Sequence, residues 1–255
     1  MKHTLIILFS LCTICLQAQD KIQKAFSKGV QLLQSEQFKD AITQFNFVIE
    51  KGSVEEKIKM SYIYKGFSYN GLKKYDDAIV CFNKAVEIDA LDAATFIDRG
   101  LTYAYKNDFP NAIKDFEHVI TLDSIGEQVE AAYYYLGKIK MQNYQNKAAI
   151  SYFDKFIALN QTDYEVYFLR GTAKSNIMNF DGAIADFDKA IELRPNFMEA
   201  YANRGVQKIN KIPLKDKLDK NIKCIEDPCA DFKKAKELGD DSVDDMLFLY
   251  CKKCK

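Results

Sequence analysis

AIKDFEHVITLDS (112–124) is one of six copies of a single phrase in this chain. The others are AITQFNFVIEKGS (41–53), AIVCFNKAVEIDA (78–90), AISYFDKFIALNQ (149–161), AIADFDKAIELRP (183–195) and a degraded PCADFKKAKELGD (228–240). Twelve residues before the alanine that opens each of the first five stands a glycine: Gly29, Gly66, Gly100, Gly137 and Gly171. A sixth, Gly205, precedes its copy by 23 residues. Ala112, Phe116 and Val119 share one face of a helix, and Phe96, Gly100 and Tyr103 share one face of the helix before it. A unit of 34 to 37 residues with two such helices cannot bury its own apolar stripe. It must stack on its neighbours.

The glycine and the alanine are small because the paired helices approach closely there, and a larger side chain would overpack the contact. The pattern recurs as Tyr62, Gly66, Tyr69, Ala78, Phe82 and Ala85, then as Tyr133, Gly137, Ala149 and Phe153, and as Tyr167, Gly171, Ala183, Phe187 and Ala190. This aromatic–Gly–aromatic, Ala–Phe–Ala grammar over 34 residues resembles the tetratricopeptide repeat family, across roughly residues 22–240. The resemblance implies an all-α, right-handed superhelical solenoid of about six helix-turn-helix hairpins plus a C-terminal capping helix. Repeats are expected at 22–55, 59–92, 93–126, 130–163 and 164–197, with a degenerate sixth at 198–240 and the cap at 241–255.

Departures from the pattern mark irregular places. Three extra residues precede the second repeat (Glu56 to Ile58) and three precede the fourth (Glu127 to Val129). The turn aromatic, Phe38, Tyr75, Phe109 or Phe180 elsewhere, is Asn146 in the fourth repeat, with Tyr144 two residues early. A distorted turn is expected there. The sixth repeat carries eleven additional residues within 209–228. Gly239 is placed to end a helix, and Ser242 to N-cap a last one carrying Val243, Met246, Leu247 and Tyr250.

The N-terminus MKHTLIILFSLCTICLQAQD reads as a secretory leader over 1–18, with a basic start and an apolar core too short to span a bilayer. The mature chain has no other candidate membrane span. An exported protein, periplasmic, surface-held or secreted, is expected. Export changes how the cysteines read. Cys224, Cys229, Cys251 and Cys254 crowd the last 32 residues, and Cys81 stands alone as a buried odd thiol. The chain's close resembles that of exported tetratricopeptide proteins of Gram-negative bacteria, in which two cysteines occupy the positions of Cys229 and Cys251. If the last two helices run antiparallel, Cys229 with Cys251 and Cys224 with Cys254 are compatible pairs. Four cysteines still permit three connectivities. Zinc or redox chemistry at the CKKC end (251–254) is the competing reading.

Lysines and arginines equal aspartates and glutamates at 36 each, which excludes the basic footprint of a nucleic-acid binder. Lys215 to Lys223 reads as solvated loop charge. There is no phosphate loop, nucleophile elbow or paired metal ligand, and no cofactor is expected. His118 reads as structural or surface, and Asp115, Asp186 and Asp231 as solvated or cap-stabilising charges. A non-enzymatic scaffold follows. In the resembled family the partner groove is lined by the first helix of each repeat. Carried over by position, the candidates are Phe26, Ile63, Phe67, Ile97, Leu101, Tyr134, Lys138 and Phe168. The lysine and asparagine that would grip acidic C-termini are missing at the matching places. Against a groove-binding adaptor stand self-assembly of the stack and envelope glycan binding by Tyr134, Tyr135 and Tyr144.

Overall fold

A computed structural model describes residues 2–122, 126–212 and 227–251, with side chains from Gln17 onward. It divides into two compact units, Met1–Ser124 and Ile125–Lys255. The first holds three hairpins: α1 (Lys2–Gln34) with α2 (Phe38–Lys51), α3 (Glu55–Gly71) with α4 (Tyr75–Ile88), and α5 (Ala93–Tyr105) with α6 (Phe109–Leu122). The second holds α7 (Glu127–Gln142) with α8 (Asn146–Leu159), α9 (Tyr164–Asn176) with α10 (Phe180–Leu193), and α11 (Met198–Asn210) with α12 (Pro228–Glu237). Within each unit helices pack in chain order, as stacked hairpins require, and no strand occurs among the described residues.

One contact recurs in every hairpin. A Cβ placed on Gly29, Gly66, Gly100, Gly137, Gly171 or Gly205 would lie 2.5–2.8 Å from a ring carbon of Phe45, Phe82, Phe116, Phe153, Phe187 or Phe232, respectively. All six rings are fully buried. The helices are therefore held at a separation set by an aromatic ring lying on bare backbone. The glycine faces the phenylalanine, one turn beyond the alanine that the sequence pairs with it. In the first five hairpins the two partners are sixteen residues apart.

The turns inside the first five hairpins also repeat. Each first helix ends in a residue with left-handed backbone: Glu36, Lys73, Asn107, Tyr144 or Met178, with φ of 57–63°. Paired hydrogen bonds close each one, as in Tyr144 N to Met141 O at 3.0 Å and Gln145 N to Lys140 O at 2.8 Å. This is the Schellman pattern, which usually recruits glycine. The expected distortion of the fourth turn does not occur. Tyr144 sits at the standard left-handed position, 89 % exposed, and Asn146 opens α8 in the same register as the turn aromatics elsewhere. Asn146 is buried and accepts a 3.2 Å hydrogen bond from Asn176 Nδ2, so an amide pair takes over the place of the ring.

The extra residues before the second and fourth repeats lengthen helices: α3 and α7 have 17 and 16 residues, against 13 in α5, α9 and α11. The added turn of α3 brings Glu56 within 3.2 Å of Lys59, whose ammonium also meets Asp89 at 3.0 Å. α1 runs unbroken from Lys2 through the segment read as a leader and into the first repeat. The eleven-residue excess and Lys215 to Lys223 fall largely or wholly outside the described residues.

At the C-terminus, Gly239 closes α12 with φ 109°, as expected. The cap that follows is a 3₁₀ turn (Asp241–Val243), a short helix (Asp244–Met246) and a π turn (Leu247–Cys251). Its N-cap is Asp240, which accepts from the backbone of Ser242 at 3.0 Å, so Ser242 is not the cap. Val243 is buried with Ile209, Phe232 and Ala235, and Met246, Leu247 and Tyr250 cover them. Cys229 and Cys251 form a disulfide with Cα atoms 5.5 Å apart. Cys224 and Cys254 lie outside the described residues. Cys81 is free and buried, and burial pushes its thiol up to about 11.

Two pairs of outcomes test this picture. Gly137→Ala should destabilise by about 1–3 kcal/mol through overpacking, although alanine normally favours a helix over glycine by about 0.5–1 kcal/mol. Tyr144→Gly should act oppositely and stabilise, by relieving a backbone strain of about 1–2 kcal/mol. Urea unfolding of both variants reads the two signs. Reduction of the disulfide should lower thermal stability, by up to about 3 kcal/mol for a loop of this size. Mass mapping of unreduced protein should show Cys229 linked to Cys251, and free thiols at both would refute the bridge.

Candidate functional site

The candidate face is built from the first helices of the hairpins. α1 touches α3 in the N-terminal unit, and α9 touches both α7 and α11 in the C-terminal unit. In the N-terminal unit Ile63 and Ile97 are buried, Ile63 in a core with Ala78, Phe82 and Ala85. They serve packing and do not belong to an accessible surface. Phe26, Phe67 and Leu101 are half-buried. Phe26 lies 5.8 Å from Tyr64, and Tyr64 lies 6.3 Å from Phe67, forming a row of rings along α1 and α3. Phe67 in turn packs edge-on to Phe82 at 5.6 Å. Asp98, beside Ile97, is half-buried, and its carboxyl is pushed up to about 7 by burial and then by the charge of Asp92.

In the C-terminal unit Tyr134 and Phe168 are half-buried and Lys138 is exposed. Lys138 lies 4.9 Å above the Tyr134 ring and donates to its hydroxyl at 3.2 Å. That hydroxyl donates to Glu165 at 2.5 Å, and burial together with the carboxylate holds the phenol above its ordinary range. Tyr134 and Tyr135 pack against each other at 5.1 Å and neither is exposed. Of the three tyrosines considered for sugar stacking, Tyr144 alone is open, and it belongs to a turn.

Arginine–aspartate pairs in the two units correct the reading of the repeated aspartates. Asp115, Asp186 and Asp231 are 4 %, 3 % and 2 % exposed, so they are not solvated charges. Arg99 donates through Nε and Nη2 to Asp115 at 2.8 and 2.7 Å, and through Nη1 to Asn83 of the preceding hairpin at 2.8 Å. Arg170 does the same to Asp186 at 2.9 and 2.6 Å and to Asp154 at 2.7 Å. Arg204 repeats it with Asp231 and Asp188. Each guanidinium also lies over the aromatic three residues earlier: Phe96, Tyr167 or Tyr201, at 5.0–5.5 Å. Lys174 and Lys208 add second cations to Asp186 and Asp231 at 2.8 and 2.9 Å. A planar fork fits this bidentate, stacked place where a lysine cannot. A sequence signal existed: Arg precedes the glycine in the same three repeats in which Asp precedes the phenylalanine.

His118 packs on the Phe96 ring at 4.4 Å, a structural placement. Among the described residues no cluster of His, Cys, Asp and Glu could hold a metal ion, and no helix is long and apolar enough to cross a membrane.

The tetratricopeptide-repeat family model matches residues 61–90 and 164–197. Those segments coincide with the second and fifth hairpins described above. In those repeats and in its fold the chain is similar to tetratricopeptide-repeat proteins. Among solved structures it is similar to the C-terminal part of a TPR repeat-containing protein from Cytophaga hutchinsonii, at 22 % identity and a TM-score of 0.70, covering 87 % of this chain and 83 % of that one. It also resembles MamA, at 27 % identity and a TM-score of 0.57 over 68 % and 93 % of the two chains. A third likeness is to YrrB, described as a TPR protein with an unusual peptide-binding site, at 24 % identity and a TM-score of 0.60 over 82 % and 97 %. A curated relative, the DnaJ homolog subfamily C member 3 homolog of Dictyostelium discoideum, is 25 % identical over 107 residues, or 41 % of this chain. The match spans about a fifth (21 %) of that relative's length. A tetratricopeptide stack is in general a protein-interaction scaffold, and none of these likenesses is to an enzyme site.

The Arg–Asp network should prove structural. Asp115→Ala leaves the half-buried Arg99 guanidinium without its carboxylate and should cost up to about 3 kcal/mol. The double variant Arg99→Met with Asp115→Leu should recover most of that loss in the same chemical denaturation series.

Proposed function

We propose that this protein is an exported, non-enzymatic scaffold that binds a segment of another cell-envelope protein along the first helices of its repeats. The supporting observation is the row of half-buried side chains on that face, Phe26, Tyr64 and Phe67 in one unit and Tyr134 and Phe168 in the other. They are packed well enough to be rigid and open enough to be touched. Large aromatic side chains held this way present apolar area at small entropic cost, which is what anchors in a groove need. The leader-like N-terminus and the terminal disulfide favour an oxidising compartment over the cytosol. Peptide binding by the similar protein YrrB is consistent with this use of the fold.

The test is affinity capture from envelope extract with wild type, Leu101→Glu, Lys138→Glu and the control Val80→Glu, whose residue is exposed on a second helix. Thermal melts confirm that each variant is folded. Specific partners should be lost with the first two changes and kept with the control. Retention of every partner by all three variants would move function away from this face.

A further inference from the structure

Where the fifth hairpin meets the sixth, the first-helix face opens into a cleft of about 230 Å³ lined by Tyr164, Glu165, Phe168, Leu169, Phe197 and Glu199. Its walls are aromatic. Phe197 lies 5.1 Å from Tyr164 at 78° and 4.9 Å from Phe168 at 58°, so the three rings form one contiguous surface. Its charged groups are two carboxylates from the first turns of α9 and α11. Neither has a basic partner among the described residues. Glu165 accepts from the Tyr134 hydroxyl, and Glu199 is exposed. The helix dipole favours acidic residues in a first turn, yet Asp163 already caps α9, and the dipole does not account for an aromatic floor between the two acids.

Two aromatic walls and two unpaired carboxylates define the chemistry of what fits. An anion is repelled by both glutamates. A purely apolar plug would leave at least one carboxylate partly desolvated and unpaired, which is costly. A cation on an aliphatic stem satisfies both, stacking on the rings and pairing with the acids. The chain shows this preference itself: the Arg194 guanidinium, which does not line the cleft, lies 4.8 Å from the Tyr164 ring and 5.6 Å from Phe197. Another cation on the face, Lys138, is engaged on the Tyr134 ring and hydroxyl. The volume is below the roughly 300–1,000 Å³ of small-molecule pockets and suits a single side chain.

We propose that this cleft receives the cationic side chain of an arginine or lysine from the partner segment. The inference rests on the reading of the first-helix face as the binding surface, and it adds the charge of the ligand. The N-terminal unit carries a parallel feature in Asp98, a half-buried acid without a cationic partner among the described residues.

The experiment follows amide shifts of ¹⁵N-labelled protein during titration with N-acetyl-arginine methylamide, N-acetyl-lysine methylamide, the neutral N-acetyl-citrulline methylamide and a neutral leucine–phenylalanine tripeptide. Saturable shifts at residues 163–169 and 197–200 are expected with the two cations. Citrulline should bind at least tenfold more weakly. The folded double variant Glu165→Gln, Glu199→Gln should lose the difference between arginine and citrulline. Equal binding of citrulline and arginine to the wild type, or unchanged discrimination in the double variant, overturns the proposal. If the neutral tripeptide perturbs the first-helix face while the cations do not, the cationic ligand is refuted and the binding face stands. If no compound perturbs it, both fail.

Discussion

A phenylalanine ring resting on the bare backbone of a glycine is the contact on which the rest of this molecule depends. It sets how closely the two helices of each hairpin approach, and it recurs in all six. Variation is confined to places that leave it intact. The three-residue additions enter ahead of a first helix and become an extra helical turn. The eleven-residue excess of the sixth hairpin does separate Gly205 from Phe232 along the chain, yet the two still meet within 2.8 Å of a would-be Cβ. Loop length adds to closure entropy only slowly, whereas a misplaced ring would leave both a void and a clash. That asymmetry explains why the hairpin tolerates insertion but not a change of register.

Most of the architecture was legible because this contact leaves a periodic trace. Gly29 through Gly205, the phenylalanines and the small residues announce hairpins and their order. What was not legible has physical causes of its own. The left-handed turn residues Glu36, Lys73, Tyr144 and Met178 contradict the preference of their own side chains, since packing of the flanking helices overrides local cost. Asn107 and Gly239 follow it. Asn146 looked like a broken turn because a ring was missing, while the structure substitutes an amide pair with Asn176. The cap begins one Asx turn earlier than Ser242 implies, because Asp240 offers the better acceptor.

The aspartates show a different limit. Read singly, a charged residue before a buried phenylalanine looks like surface. Read jointly with the arginine sixteen residues earlier, it is one half of a buried pair that appears or disappears as a unit. In the first, second and fourth repeats the two positions hold Lys28 and Gln44, Lys65 and Cys81, and Leu136 and Tyr152. None of these pairs could leave a lone buried charge of the kind that Asp115 without Arg99 would be. The buried thiol of Cys81 thus sits where other repeats keep a carboxylate, which accounts for its burial without assigning it chemistry. The proposed binding face had the opposite difficulty. Helical position named side chains on the first helices, but Ile63 and Ile97 turn inward, since neighbouring hairpins compete with any partner for the same apolar side chains.

That competition locates the cleft. The connection from α10 to α11 carries Arg194, Pro195 and Phe197, and the Phe197 ring turns onto Tyr164 and Phe168 of α9. The aromatic surface is therefore completed by a connecting residue, which holds it open where a helix-borne side chain would close on its neighbour. Its far wall, Glu199, belongs to α11, against which Phe232 and the terminal cap pack through Tyr201, Ala202 and Val206. The disulfide at Cys229 and Cys251 ties that cap to α12. Position of the second carboxylate thus depends on packing that the bridge reinforces, so the covalent end of the chain and the charged end of its cleft form one mechanical unit.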